Sequence, residues 1–327
     1  MGQRRSQSGM AEAFMHPSLG RNRKLEGFSE WLDWEGLERV LSGLRPGRRG
    51  APPFPPLLMF KALLLQQWYG LSDPGLEEAL CDRLSFRRFV GLSADQAGPD
   101  HSTLWRFRQA LSAQGLDQAA FETVNGQLDE AGLIVRQGTL IDASLIPAAS
   151  RPPKKPKPEE IEAGASLLVG APREPDADWT CRGGKRTFGY KAHIAMDKGS
   201  HLVRRVMMTP ASINDTTPAD ALILGDEAEV WADKAYDSHA RRDALKAAKV
   251  KNRIMRRGNK HHPETHWSKL RNDLIGKVRG RVETAFAILK RHYRHGRARY
   301  LTLVRNRSDL VLACIAMNMR RAMVLTA

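Results

Sequence analysis

The sequence predicts an α/β domain preceded by a mostly helical one. Residues 1–132 carry apolar positions at helical spacing with recognisable helix starts. From Leu133 onward, short apolar runs bounded by turn residues read as strands. A long amphipathic helix follows them around Glu283. The 327 residues are enough for two domains, and a hydrophobic content of 42% supports folded cores.

In the N-terminal part, Trp31–Leu44 is amphipathic and Arg45–Pro56 forms a Gly/Pro/Arg-rich break. Leu57–Tyr69 is a strongly apolar helix suited to the domain core. Asp73-Pro74-Gly75-Leu76-Glu77 starts a helix with a cap and Pro at its first position, running toward Phe89. Ser102-Thr103-Leu104-Trp105 starts another, which carries Arg106 and Arg108 beside Trp105 and Phe107. Two short helices joined by a polar turn, the second rich in Arg, fit a helix-turn-helix-like DNA reader with Arg106 and Arg108 as contacts. The same pattern fits Trp105 and Phe107 in a core with the arginines solvating the opposite face.

In the second part, residues 133–327, the run Leu133–Ile141 reads as a buried strand with Asp142 inside it or at its end. A Pro/Lys-rich excursion follows at about residues 150–178, including Arg151-Pro-Pro-Lys-Lys-Pro-Lys-Pro158. Phe188–Met196 and Leu202–Met208 alternate like a hairpin turning at Asp197–Ser200. Helices at Thr217–Leu224 and Ser238–Lys249 bracket a short apolar segment that ends at Asp233, and Lys251–Arg256 is a fifth strand. Three strands, then helix–strand–helix–strand–helix, is the order of a ribonuclease-H-like α/β domain, a mixed sheet with flanking helices.

Charged residues are seldom placed at core strands unless paired or metal-bound, so Asp142 and Asp233 stand out. On the later helix Arg279, Glu283 and Lys290 fall within a narrow arc, at about 100° per residue. Val278, Val282, Ala285, Phe286 and Leu289 form the adjoining apolar stripe. A carboxylate flanked by fixed cations suits a site that holds a metal and a phosphate backbone together. Asp237 rivals Asp233, although its place beside Ser238 also suits capping of the next helix.

In the order Asp142, Asp233, Glu283, the chain resembles a DDE transposase of a bacterial insertion sequence, in the IS5 group of the IS4-like superfamily. Asp142 in Gly138-Thr-Leu-Ile-Asp-Ala-Ser144 and Asp233 in Ala-Asp-Lys-Ala-Tyr-Asp-Ser match the two family aspartates. The family's Tyr-x2-Arg-x3-Glu-x6-Lys signature falls on Gly276, Arg279, Glu283 and Lys290, so the tyrosine is missing here. Trp179–Lys191 and Pro99–Ala110 also resemble family segments, and the likeness extends over about residues 50–320. The resemblance implies that Asp142, Asp233 and Glu283 are catalytic and bind two Mg²⁺ ions, with Mn²⁺ able to substitute. It implies DNA contacts at Arg279, Lys290 and Lys191. It further implies a homodimer or larger assembly on double-stranded DNA, comprising element ends and target.

Composition agrees. Lys+Arg of 52 against Asp+Glu of 36 gives a net charge of +16, which suits a polyanionic partner. No apolar run approaches the ~20 residues of a membrane span. The N-terminus lacks the apolar stretch of an export signal, and three scattered cysteines read as reduced thiols, so a cytoplasmic, nucleoid-associated protein is expected. His261-His-Pro-Glu-Thr-His266 invites a zinc reading, but Pro263 sits badly for a helix interior and no Cys lies nearby. No P-loop, GxGxxG or GxSxG motif is present, which leaves nucleotide hydrolysis and serine hydrolase chemistry unsupported. Two other readings remain: a ribonuclease-H-like nuclease that cuts without joining, and a non-catalytic DNA-binding repressor derived from a transposase.

Overall fold

The computed structural model describes residues 16, 18–44, 53–152, 174–258 and 263–326. The break at residues 45–52, most of the Pro/Lys-rich excursion and the His261–His262 pair lie outside these residues. The chain divides into two compact units, Met1–Val135 with Ser308–Ala327, and Arg136–Arg307. The sequence expectation kept all of residues 133–327 together. Instead the last helix crosses over.

The first unit is helical: α1 (Arg23–Trp31), α2 (Trp34–Leu41), α3 (Pro56–Tyr69), α4 (Asp73–Asp82), α5 (Leu84–Val90), α6 (His101–Ala113) and α7 (Leu116–Glu130). Of the amphipathic stretch Trp31–Leu44, Trp34–Leu41 forms α2, and Trp31 is the last residue of α1. Asp33 starts α2 after the break at Leu32, because its carboxylate accepts from the backbone N–H groups of Glu35 (2.9 Å) and Gly36 (3.2 Å). Helix α3 is apolar on all sides and ends at Gly70, whose φ of 61° is the left-handed conformation glycine adopts freely. Helix α4 is capped by Ser72, with Pro74 in its first turn, and α6 is capped by Asp100. The closing helix α11 (Leu303–Leu325) supplies this unit's centre from Ser308 on. Leu310 through Ala316 are all fully buried, as expected of a helix surrounded by others. Within the unit, Gln67 donates to Asp309 (2.8 Å) and the Trp68 indole donates to the Ala316 carbonyl (2.9 Å).

The second unit is built on a six-stranded mixed sheet with β1 (Thr139–Pro147), β2 (Asp178–Arg182), β3 (Lys185–Asp197), β4 (Val203–Pro210), β5 (Glu229–Ala232) and β6 (Lys251–Ile254). Its order is β2-β3-β1-β5-β6, with β4 pairing β3 on the other edge. The β2–β3 hairpin turns on Gly183 and Gly184, both at positive φ (56° and 78°), as a tight two-residue turn demands. The β3–β4 turn closes on Asp197, whose carboxylate accepts from Gly199 N and Ser200 N. Strands β1, β5 and β6 run parallel; α8 (Ala219–Leu222) leads from β4 into β5, and α9 (His239–Ala247) links β5 to β6. One sheet face buries Ile141, Val230 and Ala232 with Leu222 and Leu245. Against β1 and β5 packs α10 (His266–Arg291), through its buried Ile275, Val282, Ala285, Phe286 and Leu289.

Candidate active site

Successive strand residues face opposite sides of a sheet. Ile141 enters the apolar cluster, so Asp142 is turned toward α10. Asp233 directly follows the last residue of β5 and opens a 3-10 turn, its carboxylate accepting from Lys234 N at 2.6 Å. The parallel register pairs Thr139 with Val230 and Leu140 with Trp231, so carrying it on by two residues sets Asp142 level with Asp233. Neighbouring strands lie about 4.8 Å apart, which brings the two aspartates side by side. From α10, Arg279 donates through one nitrogen to Asp142 (2.9 Å) and through the other to Glu283 (3.0 Å). Strand, strand end and helix thereby meet at three carboxylates with one guanidinium among them.

The electrostatics follow from this crowding. The Asp142 carboxyl is pushed above its usual range by burial first; Arg279 opposes that shift, while Asp233 and Glu283 add to it. Tyr236, in the turn after Asp233, is 1% exposed, and its hydroxyl has no hydrogen-bond partner among the described residues. Burial and the fields of Asp142, Asp215 and Asp233 hold that hydroxyl firmly protonated.

Each predicted site residue has a definite place. Asp142, Asp233, Glu283 and Arg279 converge. Lys290, about two turns beyond Glu283, is held below its usual range by lost hydration and then by Arg182. Lys191 is engaged already, paired with Asp215 at 2.8 Å and donating to the Ile213 carbonyl at 2.7 Å. Asp237 is withdrawn into an ion pair with Arg242, whose Nε lies 2.8 Å away, so its charge is spent on the start of α9. Ser238, not Asp237, caps that helix. In the helical unit Arg106 is exposed, whereas Arg108 is 1% exposed. It binds Asp73 at 2.7 and 3.1 Å and Gln66 at 2.9 Å. The expected DNA contact at Arg108 is therefore corrected: its charge is used inside the helical core.

Sequence reasoning missed Asp215 and Tyr236. With Asp233, Lys191 and Arg182, Asp215 lines a cavity of about 240 Å³. A larger one of about 690 Å³, also bordered by Asp233, is lined by Lys234, Arg257, Glu264 and Lys269. Buried Arg241 fixes the Asp215 segment by donating to Thr216 Oγ1 (3.0 Å), the Thr216 carbonyl (2.9 Å) and the Tyr236 carbonyl. The only sequence signal was the aspartate itself, in Asn214-Asp215-Thr216, where a loop carboxylate needs no special explanation.

Asp142, Asp233 and Glu283 are all hard oxygen donors, the chemistry that Mg²⁺ prefers, and the repulsion around Asp142 is what a divalent cation relieves. The donor set fits such an ion. Among the described residues no three His, Cys, Asp or Glu side chains are grouped closely enough to hold one as they stand, and Arg279 bridges Asp142 and Glu283.

Residues 134–319 match the family model described as Transposase DDE domain, and residues 15–110 match that described as Transposase domain (DUF772). No solved structure matches the chain.

Proposed function

The chain belongs to the transposase DDE-domain family, and from that premise we propose that it binds the terminal inverted repeats of an insertion sequence, cuts the element ends and joins them to target DNA. The observation that carries the proposal is the meeting of Asp142, Asp233 and Glu283 from three separate elements around Arg279. The strand arrangement, four antiparallel strands followed by two parallel to β1, supports a ribonuclease-H-like catalytic domain. The Arg279–Glu283–Lys290 spacing supports placement in the IS5 group, with Gly276 standing where the group carries tyrosine.

Asp142, Asp233 and Glu283 would hold two Mg²⁺ ions, with Mn²⁺ an adequate substitute. When bound, these ions supply charge stabilisation and activation of water or a DNA 3′-hydroxyl for in-line attack on phosphorus. The protein's own part is positional and electrostatic. Strand β1 and the end of β5 fix the two aspartates at one level, and α10 brings Glu283 from the side. Arg279 and Lys290 neutralise phosphate charge along one edge of that helix, with Arg279 able to grip two oxygens at once. The cations around the 690 Å³ opening, Lys234, Arg257 and Lys269, guide the strand toward Asp233. Lys191, bound to Asp215, holds that loop and presents its remaining donor to the smaller cavity. Arg106 on the helical unit contacts DNA, and two copies assemble when element ends are brought together.

Nicking and strand-transfer assays on the same preparations test this reading. Asp142→Ala, Asp233→Ala and Glu283→Ala should each abolish Mg²⁺-dependent cleavage while duplex binding persists, and Asp237→Ala should be far milder. Ca²⁺ should permit assembly with poor cleavage, because its longer and looser bonds misplace the reacting oxygens. Cleavage by Glu283→Ala at near the wild-type rate overturns the site. Cleavage with no joining selects the nuclease reading.

A further inference from the structure

We propose that Arg279 is a built-in counter-cation of the carboxylate site, competing with a divalent ion for Asp142 and Glu283 and yielding its place when a DNA phosphate takes the guanidinium. The inference rests on the metal-binding reading of that site and adds to it a coupling between DNA and metal.

Three features of the geometry lead here. The guanidinium spans two carboxylates on different elements, 2.9 Å from Asp142 on β1 and 3.0 Å from Glu283 on α10. These are the two carboxylates that an ion shared by strand and helix would bridge. Arg279 and Asp142 are each only 17% exposed, so water screens their pairing poorly. Glu283 is 64% exposed and is the freer arm of the bridge. A cation entering between the two carboxylates competes with the guanidinium, which already holds one oxygen of each and repels a second positive charge at this distance.

The displaced group needs an acceptor elsewhere, and a phosphodiester is the ligand whose oxygen spacing matches the planar fork. Arg279 shares one arc of α10 with Lys290, so a strand lying along that edge offers phosphate to both. DNA then vacates Asp142 and Glu283 for the metal, and metal drives Arg279 onto DNA. Linkage requires the two effects to be equal: whatever factor DNA adds to metal affinity, metal adds to DNA affinity.

Mn²⁺ binding, followed by electron paramagnetic resonance with and without a random-sequence duplex, reads this directly. Free of DNA, Arg279→Gln should bind Mn²⁺ about tenfold more tightly than wild type, within the usual range of site-to-site coupling. Adding duplex should tighten Mn²⁺ binding to wild type by a similar factor and leave Arg279→Gln unchanged. Arg279→Lys keeps the charge without the fork, so it should fall between the two. A second readout is thermal unfolding. Without its counter-cation Arg279→Gln should melt lower than wild type in chelator, and its Mn²⁺-induced rise should be larger. Asp142→Asn serves as the control for the site itself. If wild type binds Mn²⁺ and Asp142→Asn does not, the metal reading stands and Arg279→Gln decides the inference. Equal or weaker Mn²⁺ binding by Arg279→Gln, or the same gain from duplex in both proteins, overturns it. Wild type that binds no Mn²⁺ with or without duplex overturns the metal reading, and this inference with it.

Discussion

Arg106 and Arg108 stand two positions apart on α6, about 200° around the helix, and that rotation separates their roles. Arg106 remains at the surface against Ser102 and Thr103, while Arg108 points inward to Asp73 and Gln66. Truncating a buried partner of an ion pair leaves the other charge uncompensated, so Arg108→Ala should lower stability by about 3–5 kcal/mol in denaturant titrations. Arg106→Ala should leave stability unchanged and weaken DNA binding, with a shallower dependence on salt. His193 behaves differently again. It is fully buried beside Thr209, and lost hydration holds its pKa down to about 4, with Lys191 adding to the effect and Asp215 opposing it. A histidine depressed in the folded state keeps its full contribution above its unfolded pKa of about 6.5 and loses stability as pH falls from there toward 4. The loss should approach ~3 kcal/mol at the acid end. Urea titrations of wild type and His193→Gln at matched pH should diverge in slope below neutrality. Parallel pH profiles would refute the assignment.

At the scale of elements, β1 reaches the site only because β3 lets it approach. A Cβ added at Gly189 would lie 2.3 Å from the Ile146 carbonyl oxygen and 2.7 Å from Ala148 N, both backbone atoms that no rotamer change can move. The glycine therefore permits close pairing at the end of the strand that carries Asp142. Gly189→Ala should destabilise the protein by about 2 kcal/mol or more, and the amide protection of β1 should fall by hydrogen exchange before that of α7. Gly276 is a contrasting case. Its nearest neighbour is the flexible end of Met255, at 3.2 Å from an added Cβ, so a side chain there displaces no backbone.

For the whole molecule, the connection that matters is the return of α11. Its segment from Ser308 belongs to the helical unit, where it places Leu310, Val311, Leu312, Ile315 and Met319 in the core. A fragment of residues 1–135 lacks that helix. It should therefore expose the apolar faces of α3 and α7, bind a hydrophobic dye and unfold without cooperativity. Joining residues 308–327 to it through a flexible linker should restore cooperative melting. If the short fragment melts as sharply as the joined one, α11 is dispensable to this unit. Tests of DNA recognition by the helical unit alone belong on the joined form.

Reading the residues in order yields what depends on local chemistry. Helix α3, the β3–β4 hairpin, the strand that ends at Asp233 and the helix bearing Glu283 were all legible, because periodicity, caps and turn residues act over a few positions. The positions of Asp142 on a strand, Asp233 at a strand end and Glu283 on the later helix were legible too, since apolar runs interrupted by a charge and a repeated helical spacing are visible without a fold. Other features depended on groups distant in sequence. Which of two arginines turns inward, which loop aspartate joins the cavity, and which unit the final helix completes were all decided by tertiary packing. Arg108 finds Asp73 35 positions away, and Arg279 finds Asp142 137 positions away. Burial makes those pairings strong, and burial is a property of the assembled chain.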